Sequence, residues 1–390
     1  MAETEAVREA GTEAGTEAGG KAGGGSGPAG RVPRVLLVLG TSTGGIGRHV
    51  RTIAGGLAAE GRPVAVAGPP RTDAAFGFSQ VARFAAVAMS DRPRPVRDAR
   101  AVARLRALAA GADVVHAHGL RAGALAALAL AGRRTALVVT LHNALTAGGT
   151  VGLVYAGLER LVARRADRVL VVSPDLGERM AARGARHVAP AVVPAPPLRP
   201  AARPAAEVAA ELGAGERPVL LTLARLAQQK GLETLLDAAA GPFDGPPPLF
   251  VVAGDGPLRA GLLARIDREG LPVRLLGDRT DVADLLGAAA ALVVPSRWEG
   301  QPLSVQEALR AGRPVVATAT GGLPGMVADA GLLVPPGDAA ALRTAITRLL
   351  GDPVLAARLG AAAAARRLPD EAAAIRAVVS VYDDLTGSRS

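Results

Sequence analysis

The sequence predicts an α/β protein built from two doubly wound, Rossmann-like halves that face each other across a cleft. Three observations predict it. Short apolar runs without polar alternation recur along the chain, as in strands of a parallel sheet covered on both faces. Segments rich in Ala, Leu and Arg separate them, as crossover helices would. The pattern runs once, breaks at the proline- and alanine-crowded stretch Pro190–Pro204, and restarts.

Residues 1–31 carry an imperfect Gly-Thr-Glu-Ala repeat and then Gly and Ser. They offer nothing to bury, so a disordered low-complexity tail is expected. In the first half, 32–195, strands are expected at Val35–Leu39, Val64–Ala67, Val114–Val115, Leu137–Leu141 and Val169–Val172. A linker is expected over 196–215. The second half, 216–368, offers Val219–Leu223, Leu249–Ala253, Val273–Leu276, Ala291–Val294 and Val315–Ala317, with Leu332–Val334 as a shorter edge strand. Residues 369–390 read as a final helix, Glu371–Leu385, whose packing partner the sequence does not name, and a tail.

Composition excludes several classes. The chain has 390 residues, 49% of them apolar, enough for two domains and too many for wholesale disorder. It has no cysteine, hence no disulfide framework, thiolate nucleophile, Fe–S cluster or Cys-type zinc site. The net charge of +10 permits an anionic partner without choosing one. Aromatics are 2% and no nucleic-acid motif is present, so nucleic acid is not expected as a partner. The longest uncharged apolar runs, Ala122–Gly132 and Leu285–Pro295, fall well short of the roughly 20 residues that span a bilayer. The N-terminus lacks the apolar stretch of a signal peptide, so a cytoplasmic protein is expected.

Ligands of open α/β sheets sit beyond the carboxyl ends of the strands, so residues there carry most weight. The first strand runs into Gly40-Thr41-Ser42-Thr43-Gly44-Gly45-Ile46-Gly47-Arg48-His49. Its spacing is neither G-x-G-x-x-G nor a P-loop, and it reads equally as a tight turn or as an anion contact through backbone amides. The second half opens with Leu223-Ala224-Arg225-Leu226-Ala227-Gln228-Gln229-Lys230-Gly231. Arg225 at a strand end and Lys230 at a helix start would form a diphosphate clamp. Only Lys21 and Lys230 are lysines in a chain that otherwise uses arginine; Lys230 reads as serving a site that needs a compact ammonium, with a chance surface lysine as the competing reading. A third stretch, Val293 to Leu309, ends a strand at Ser296, carries Glu299 in a loop, and starts a helix near Leu303 with Glu307 one turn in. Carboxylates so placed accept well from vicinal sugar hydroxyls; the competing reading is two solvated glutamates.

Taken together, the chain resembles glycosyltransferase family 4, retaining enzymes of the GT-B fold. The resemblance rests on the Gly-rich first turn, Asp113-Val114-Val115-His116-Ala117-His118-Gly119, the Arg225…Lys230-Gly231 clamp, and Ala253-Gly254-Asp255-Gly256-Pro257. It rests further on Glu299 to Glu307 as E-x7-E and on Thr320-Gly321-Gly322-Leu323-Pro324. It covers about Val32 to Leu350, and the E-x7-E combined with R…KG is its most specific part.

The resemblance implies a hexosyltransferase that takes its sugar from a nucleoside-diphosphate donor, with retention and without a metal or other cofactor. Arg225 and Lys230 would neutralise the diphosphate, with Gly44 and Gly45 lending backbone amides. Glu307 would accept from the ribose and Glu299 from the transferred sugar. His118 would stand across the cleft near that sugar, with His116 supporting its loop. Asp281 would meet the nucleobase. His116, His142 and Asn143 are candidate acceptor contacts, and the acceptor itself (lipid-linked, glycan or small molecule) is left open. Two other readings compete: a GT-B sugar-nucleotide epimerase, which R…KG with E-x7-E disfavours, and an inactive nucleotide-sugar binder.

This chain departs from the family pattern in places. Glu299-Gly300-Gln301-Pro302-Leu303 stands where Glu-Gly-Phe-Gly-Leu is common, and Pro302 has no N–H to offer a sugar. Pro194-Ala195-Pro196-Pro197 replaces the usual Pro-Asn-Gly before the linker, so the hinge is expected to differ. Finally, Arg94, Arg97, Arg100 and Arg104 share a helical face beside Arg92 and Arg106. A solvated arginine face outweighs the alternative there, a peripheral contact with anionic lipid at the inner face of the membrane.

Overall fold

The computed structural model describes residues 32–42, 44–89, 93–144, 149–243 and 246–387; the expected N-terminal tail and Arg92 lie outside them. Buried Val, Leu and Ala runs form two wholly parallel sheets. The first holds β1 (Val35–Leu39), β2 (Val64–Gly68), β3 (Arg83–Ala86), β4 (Val114–His118), β5 (Ala136–Leu141), β6 (Arg168–Val171) and β7 (Val188–Pro190). Its order is β3-β2-β1-β4-β5-β6-β7. The second holds β8 (Val219–Leu223), β9 (Leu249–Ala253), β10 (Val273–Gly277), β11 (Ala291–Val294), β12 (Val315–Thr318) and β13 (Gly331–Val334), in the order β10-β9-β8-β11-β12-β13. Strand order therefore reverses at β1/β4 and again at β8/β11, the two crevices where doubly wound sheets bind ligands.

Two strands of the first sheet were not expected from the sequence. β3 is a mostly exposed Arg-Phe-Ala-Ala edge, and β7 is a three-residue edge ending in proline, so neither carries an apolar run. Proline is tolerated there because an edge strand leaves one row of its N–H groups unused.

The C-terminal helix Glu371–Gly387 packs on the first half, against the helix Gly45–Ala59. Tyr382 is fully buried in that core, and Arg62 binds Asp383 with two hydrogen bonds of 2.8 and 3.1 Å. The linker contains a helix, Ala205–Glu211, packed on the helix Val282–Ala288. Arg203 ties it down, reaching Glu211 (2.6 Å), Asp281 (2.9 Å) and Asp284 (3.2 Å).

Candidate active site

The second switch point gathers the charged residues. Beyond β11, the loop through Ser296 and Glu299 leads into the helix Leu303–Arg310; beyond β8, a helical turn Gln228–Lys230 leads into Leu232–Ala239. Lys230 Nζ donates to Glu299 Oε1 at 2.6 Å, and Ser296 Oγ donates to the same oxygen at 2.7 Å. The cation expected for the diphosphate and the carboxylate expected for the sugar thus form one ion pair, with Glu299 only 6% exposed. Two further bonds stitch the loops together: Arg297 N–H to the Gln229 carbonyl (2.8 Å) and Gln229 Nε2 to the Trp298 carbonyl (2.9 Å).

Glycine makes this crossing possible. Gly231 has φ +61°, and a Cβ there would lie 2.1 Å from the Pro295 carbonyl oxygen. Gly321, at φ +56°, faces the Glu299 carbonyl at 1.9 Å in the same way. Backbone approach this close excludes any side chain. Arg225 is exposed in the loop after β8 and makes no ion pair among the described residues. Its loop is backed by Asp255, whose carbonyl accepts from Leu226 N–H at 2.9 Å.

Glu307 is half-buried in the helix after Glu299. Burial raises its pKa, and the charges of Arg48 and Arg310 oppose that rise. Arg48 belongs to the first half, on the helix Gly45–Ala59. The Gly-rich turn therefore faces the second half: a Cβ on Gly45 would lie 3.6 Å from Leu303. Ser42 Oγ accepts from Gly47 N–H at 3.0 Å and fixes that turn, with Gly44 as the N-cap residue.

The structure gives two expected residues partners of their own. Asp281 is bound by Arg279 and by Arg203, which hold its carboxyl below the usual range, so it ties the linker to its helix. His116 is wholly buried, and both its ring nitrogens are used: Nδ1 with Tyr382 Oη at 2.6 Å and Nε2 with Thr140 Oγ1 at 2.7 Å. No ring nitrogen is left for an acceptor.

The first switch point is uncharged by comparison. His118 ends β4 in register with Leu39 and Thr140, and is 2% exposed. His142 follows β5, and its Nε2 lies 3.2 Å from His118 Nδ1. His49, 6% exposed, completes the group from the helix Gly45–Ala59. Burial keeps these rings neutral, lowering His49 to about 4 and His118 and His142 well below the ordinary value. Asn143 is exposed just beyond.

Several structural contributors were not expected. Trp298, the only tryptophan, sits in the first half's core and donates to Asp175 Oδ2 at 2.7 Å. Gln301 and Gln306 bind the linker as a strand would. Gln301 accepts from Val193 N–H (2.9 Å) and donates to the Ala191 carbonyl (2.6 Å). Gln306 accepts from Ala195 N–H and donates to the Val193 carbonyl, both at 2.8 Å. Arg310 adds the carbonyls of Ala195 and Pro196 (2.7 Å each). Gln301 and the Pro194–Pro197 segment are thus joined in one hydrogen-bonded network through Val193, Gln306 and Arg310. A cavity of about 560 Å³ lies beside it, lined by Val172, Gln306, Met326 and Arg366 among others, and by none of the predicted site residues.

Two parallel sheets with their switch points facing define a protein of the GT-B class. Two family models match the chain: "Glycosyl transferase 4-like domain" over residues 44–196 and "Glycosyl transferases group 1" over residues 217–352. The chain belongs to the group 1 glycosyl transferases. It is 33% identical over 159 residues to the alpha-D-kanosaminyltransferase of Streptomyces kanamyceticus, which covers 39% of this chain and 41% of that protein. It is 29% identical over 367 residues to the glycogen synthase of Mycobacterium tuberculosis, which covers 84% and 87%. The kanosaminyltransferase match thus spans about two-fifths of that relative. In structure it resembles the sucrose-phosphate synthase of Thermosynechococcus elongatus, with a TM-score of 0.77 and 24% identity over 91% of this chain and 100% of that one. It also resembles Anabaena HepE in complex with UDP (TM-score 0.75, 21% identity, 90% and 100% covered). No helix among the described residues is long and apolar enough to cross a membrane.

Proposed function

We propose that this protein transfers a hexosyl group from a nucleoside-diphosphate sugar to a hydroxyl acceptor, with retention and without a metal at the diphosphate. The observation that carries the reading is the Lys230–Glu299–Ser296 constellation at the second switch point, with Arg225 in the loop after β8 and Glu307 in the helix that follows Glu299. In transfer, the bond from the sugar's anomeric carbon to the diphosphate breaks and negative charge builds on the leaving oxygen. Lys230 and Arg225 stabilise that charge, and Lys230 leaves its pairing with Glu299 to do so. Glu299 is then released to accept from the sugar's hydroxyls, and Glu307 from the ribose. The acceptor's hydroxyl oxygen bonds to the anomeric carbon on the face the diphosphate leaves, and the leaving phosphate takes its proton, so no protein nucleophile is required.

HepE is seen with UDP and with UDP-glucose, which makes a uridine donor the first to try. Relatives named for 2-deoxystreptamine and for diphosphoundecaprenol substrates support two acceptor classes, aminocyclitols and lipid-linked sugars. Arg97, Arg100 and Arg104 are exposed on the helix Pro95–Leu108, which supports a surface able to touch an anionic membrane. Co-sedimentation with and without phosphatidylglycerol vesicles tests that contact.

The main test measures melting shifts and donor turnover with UDP-, GDP- and ADP-sugars, since a ligand of the native state raises the melting temperature. One donor is expected to stabilise the protein and to be consumed, with turnover lost in Lys230→Ala and Glu299→Gln. Full turnover in both variants, or no response to any donor, would sink the assignment. Turnover of UDP-N-acetylglucosamine to an epimer without acceptor would replace it.

A further inference from the structure

We propose that His49, His118 and His142 form a binding site for a transition-metal ion of the zinc class, at the carboxyl edge of the first sheet. One ring nitrogen from each histidine lies within 4.8 Å of those from the other two. The ring centroids form a nearly equilateral triangle: 5.6 Å for His49–His118, 5.5 Å for His49–His142 and 5.4 Å for His118–His142. Three imidazoles on one tetrahedral zinc, with Zn–N bonds of about 2.0–2.1 Å, hold their centroids about 5.2 Å apart and their ligand nitrogens about 3.4 Å apart. The observed triangle is a few tenths of an ångström wider, and the His118–His142 nitrogens stand at 3.2 Å.

Two further observations point to a ligand. His49 Nδ1 is buried and has no hydrogen-bond partner among the described residues, whereas the His118 nitrogen of the 3.2 Å pair, Nδ1, is held by His142 in a hydrogen bond that an ion would replace. Leaving such groups unpaired is costly, and an ion or its bound water is one way to occupy ring nitrogens in this cluster. Burial also keeps all three rings neutral, the form in which imidazole binds a metal. The all-nitrogen donor set suits Zn2+, Co2+, Ni2+ or Cu2+ and not the oxygen-seeking Mg2+ or Ca2+. His142 is the half-buried member and gives an ion its way in. Three ligands leave a fourth position for water. His116 does not join them, because Tyr382 and Thr140 already use both its nitrogens.

The ion would not serve the diphosphate, whose proposed partners belong to the other switch point. If the proposed function holds, it would instead withdraw His118 and His142 from the substrate, so Zn2+ is expected to inhibit transfer. The binding test does not depend on that reading. Untagged, chelator-treated protein is titrated with Co2+ and Zn2+ in the absence of donor. The expected result is one equivalent per chain with a tetrahedral-type Co2+ absorption band. Affinity should fall at least about tenfold in His49→Asn and in His142→Asn, and stay unchanged in His187→Asn, which alters the exposed fifth histidine. Histidine ring NMR of the wild type keeps the test open if a variant fails to fold: one equivalent of Zn2+ should displace three of the five ring signals. No binding, binding that survives both variants, or displacement of the His187 signal alone overturns the site.

Discussion

The two switch points share one strand topology and carry opposite chemistry. At β8/β11 an ammonium pairs with a carboxylate, a guanidinium stands exposed on the loop after β8, a second carboxylate lies in the helix that follows, and glycines at positive φ let the loops cross. At β1/β4 three neutral imidazoles stand in a buried group, above a fourth that is fully hydrogen-bonded. The difference follows what each wall would meet. A leaving diphosphate needs cations that are fixed before the charge develops. An electron-poor sugar disfavours a cation beside it, and neutral imidazoles add none.

The largest expected effect tests that contrast. Lys230→Ala should lower kcat/KM by about 10²–10³-fold, the usual loss for a preorganised charge-stabilising group. His118→Ala should cost distinctly less. Equal losses in steady-state kinetics would break the division of labour between the walls. Lys230→Ala also strips Glu299 of a partner in a buried setting, at about 1–3 kcal/mol of stability. The double variant Lys230→Ala/Glu299→Gln should regain melting temperature without regaining rate.

Gly231→Ala sharpens the geometric side. It combines left-handed backbone strain with a methyl driven onto the Pro295 carbonyl, at about 2–4 kcal/mol together. A melting temperature within a degree of wild type would show that the crossing of the two loops is not tight. Gln306→Ala should cost about 1–3 kcal/mol, because it leaves Ala195 N–H and the Val193 carbonyl buried without their partner. Denaturant unfolding measures both.

Much of this was legible in the sequence, for reasons that differ between the walls. Strands such as Leu249–Ala253 and Val293–Val294 are buried on both faces, and unbroken apolar runs reveal them. Glu299, Glu307, Arg225 and Lys230 stood out because charge at a strand's carboxyl end is conspicuous. The edge strand β3 did not, since an exposed edge needs no apolar run. His49 was hidden inside a Gly-rich turn that was weighed for its backbone alone. Gln301 and Gln306 were hidden because their amides serve the main chain of a distant linker, and spacing within one segment cannot disclose that. The pairing of Asp281 was hidden for the same reason: its partner Arg203 comes from the linker. Tyr382 shows the limit most plainly. A tyrosine in an Ala- and Val-rich terminal helix gives no hint that its hydroxyl caps His116, or that the helix returns to the first half.

The smallest expected effect concerns Arg48, a charge that the first half extends toward Glu307 of the second. Burial raises the Glu307 pKa, while Arg48 and Arg310 hold it down. A carboxyl raised in the folded state keeps its proton to higher pH than in the unfolded chain. It therefore costs stability as pH rises from the ordinary glutamate value through the raised one, and the cost is complete at neutral pH. Glu307→Gln should accordingly melt slightly higher than wild type at neutral pH, and the difference should vanish below the ordinary glutamate pKa. Donor binding runs the other way, because only the carboxylate accepts two ribose hydroxyls. Donor KM should rise on the acid side, and Arg48→Ala should move that rise to higher pH by removing a charge that favours the ionised form. A KM–pH profile in which Arg48→Ala leaves the acid limb in place would mean that the two halves do not communicate through this pair. The coupling would then rest on the Trp298–Asp175 bond and on the clasp formed by Gln301, Gln306 and Arg310.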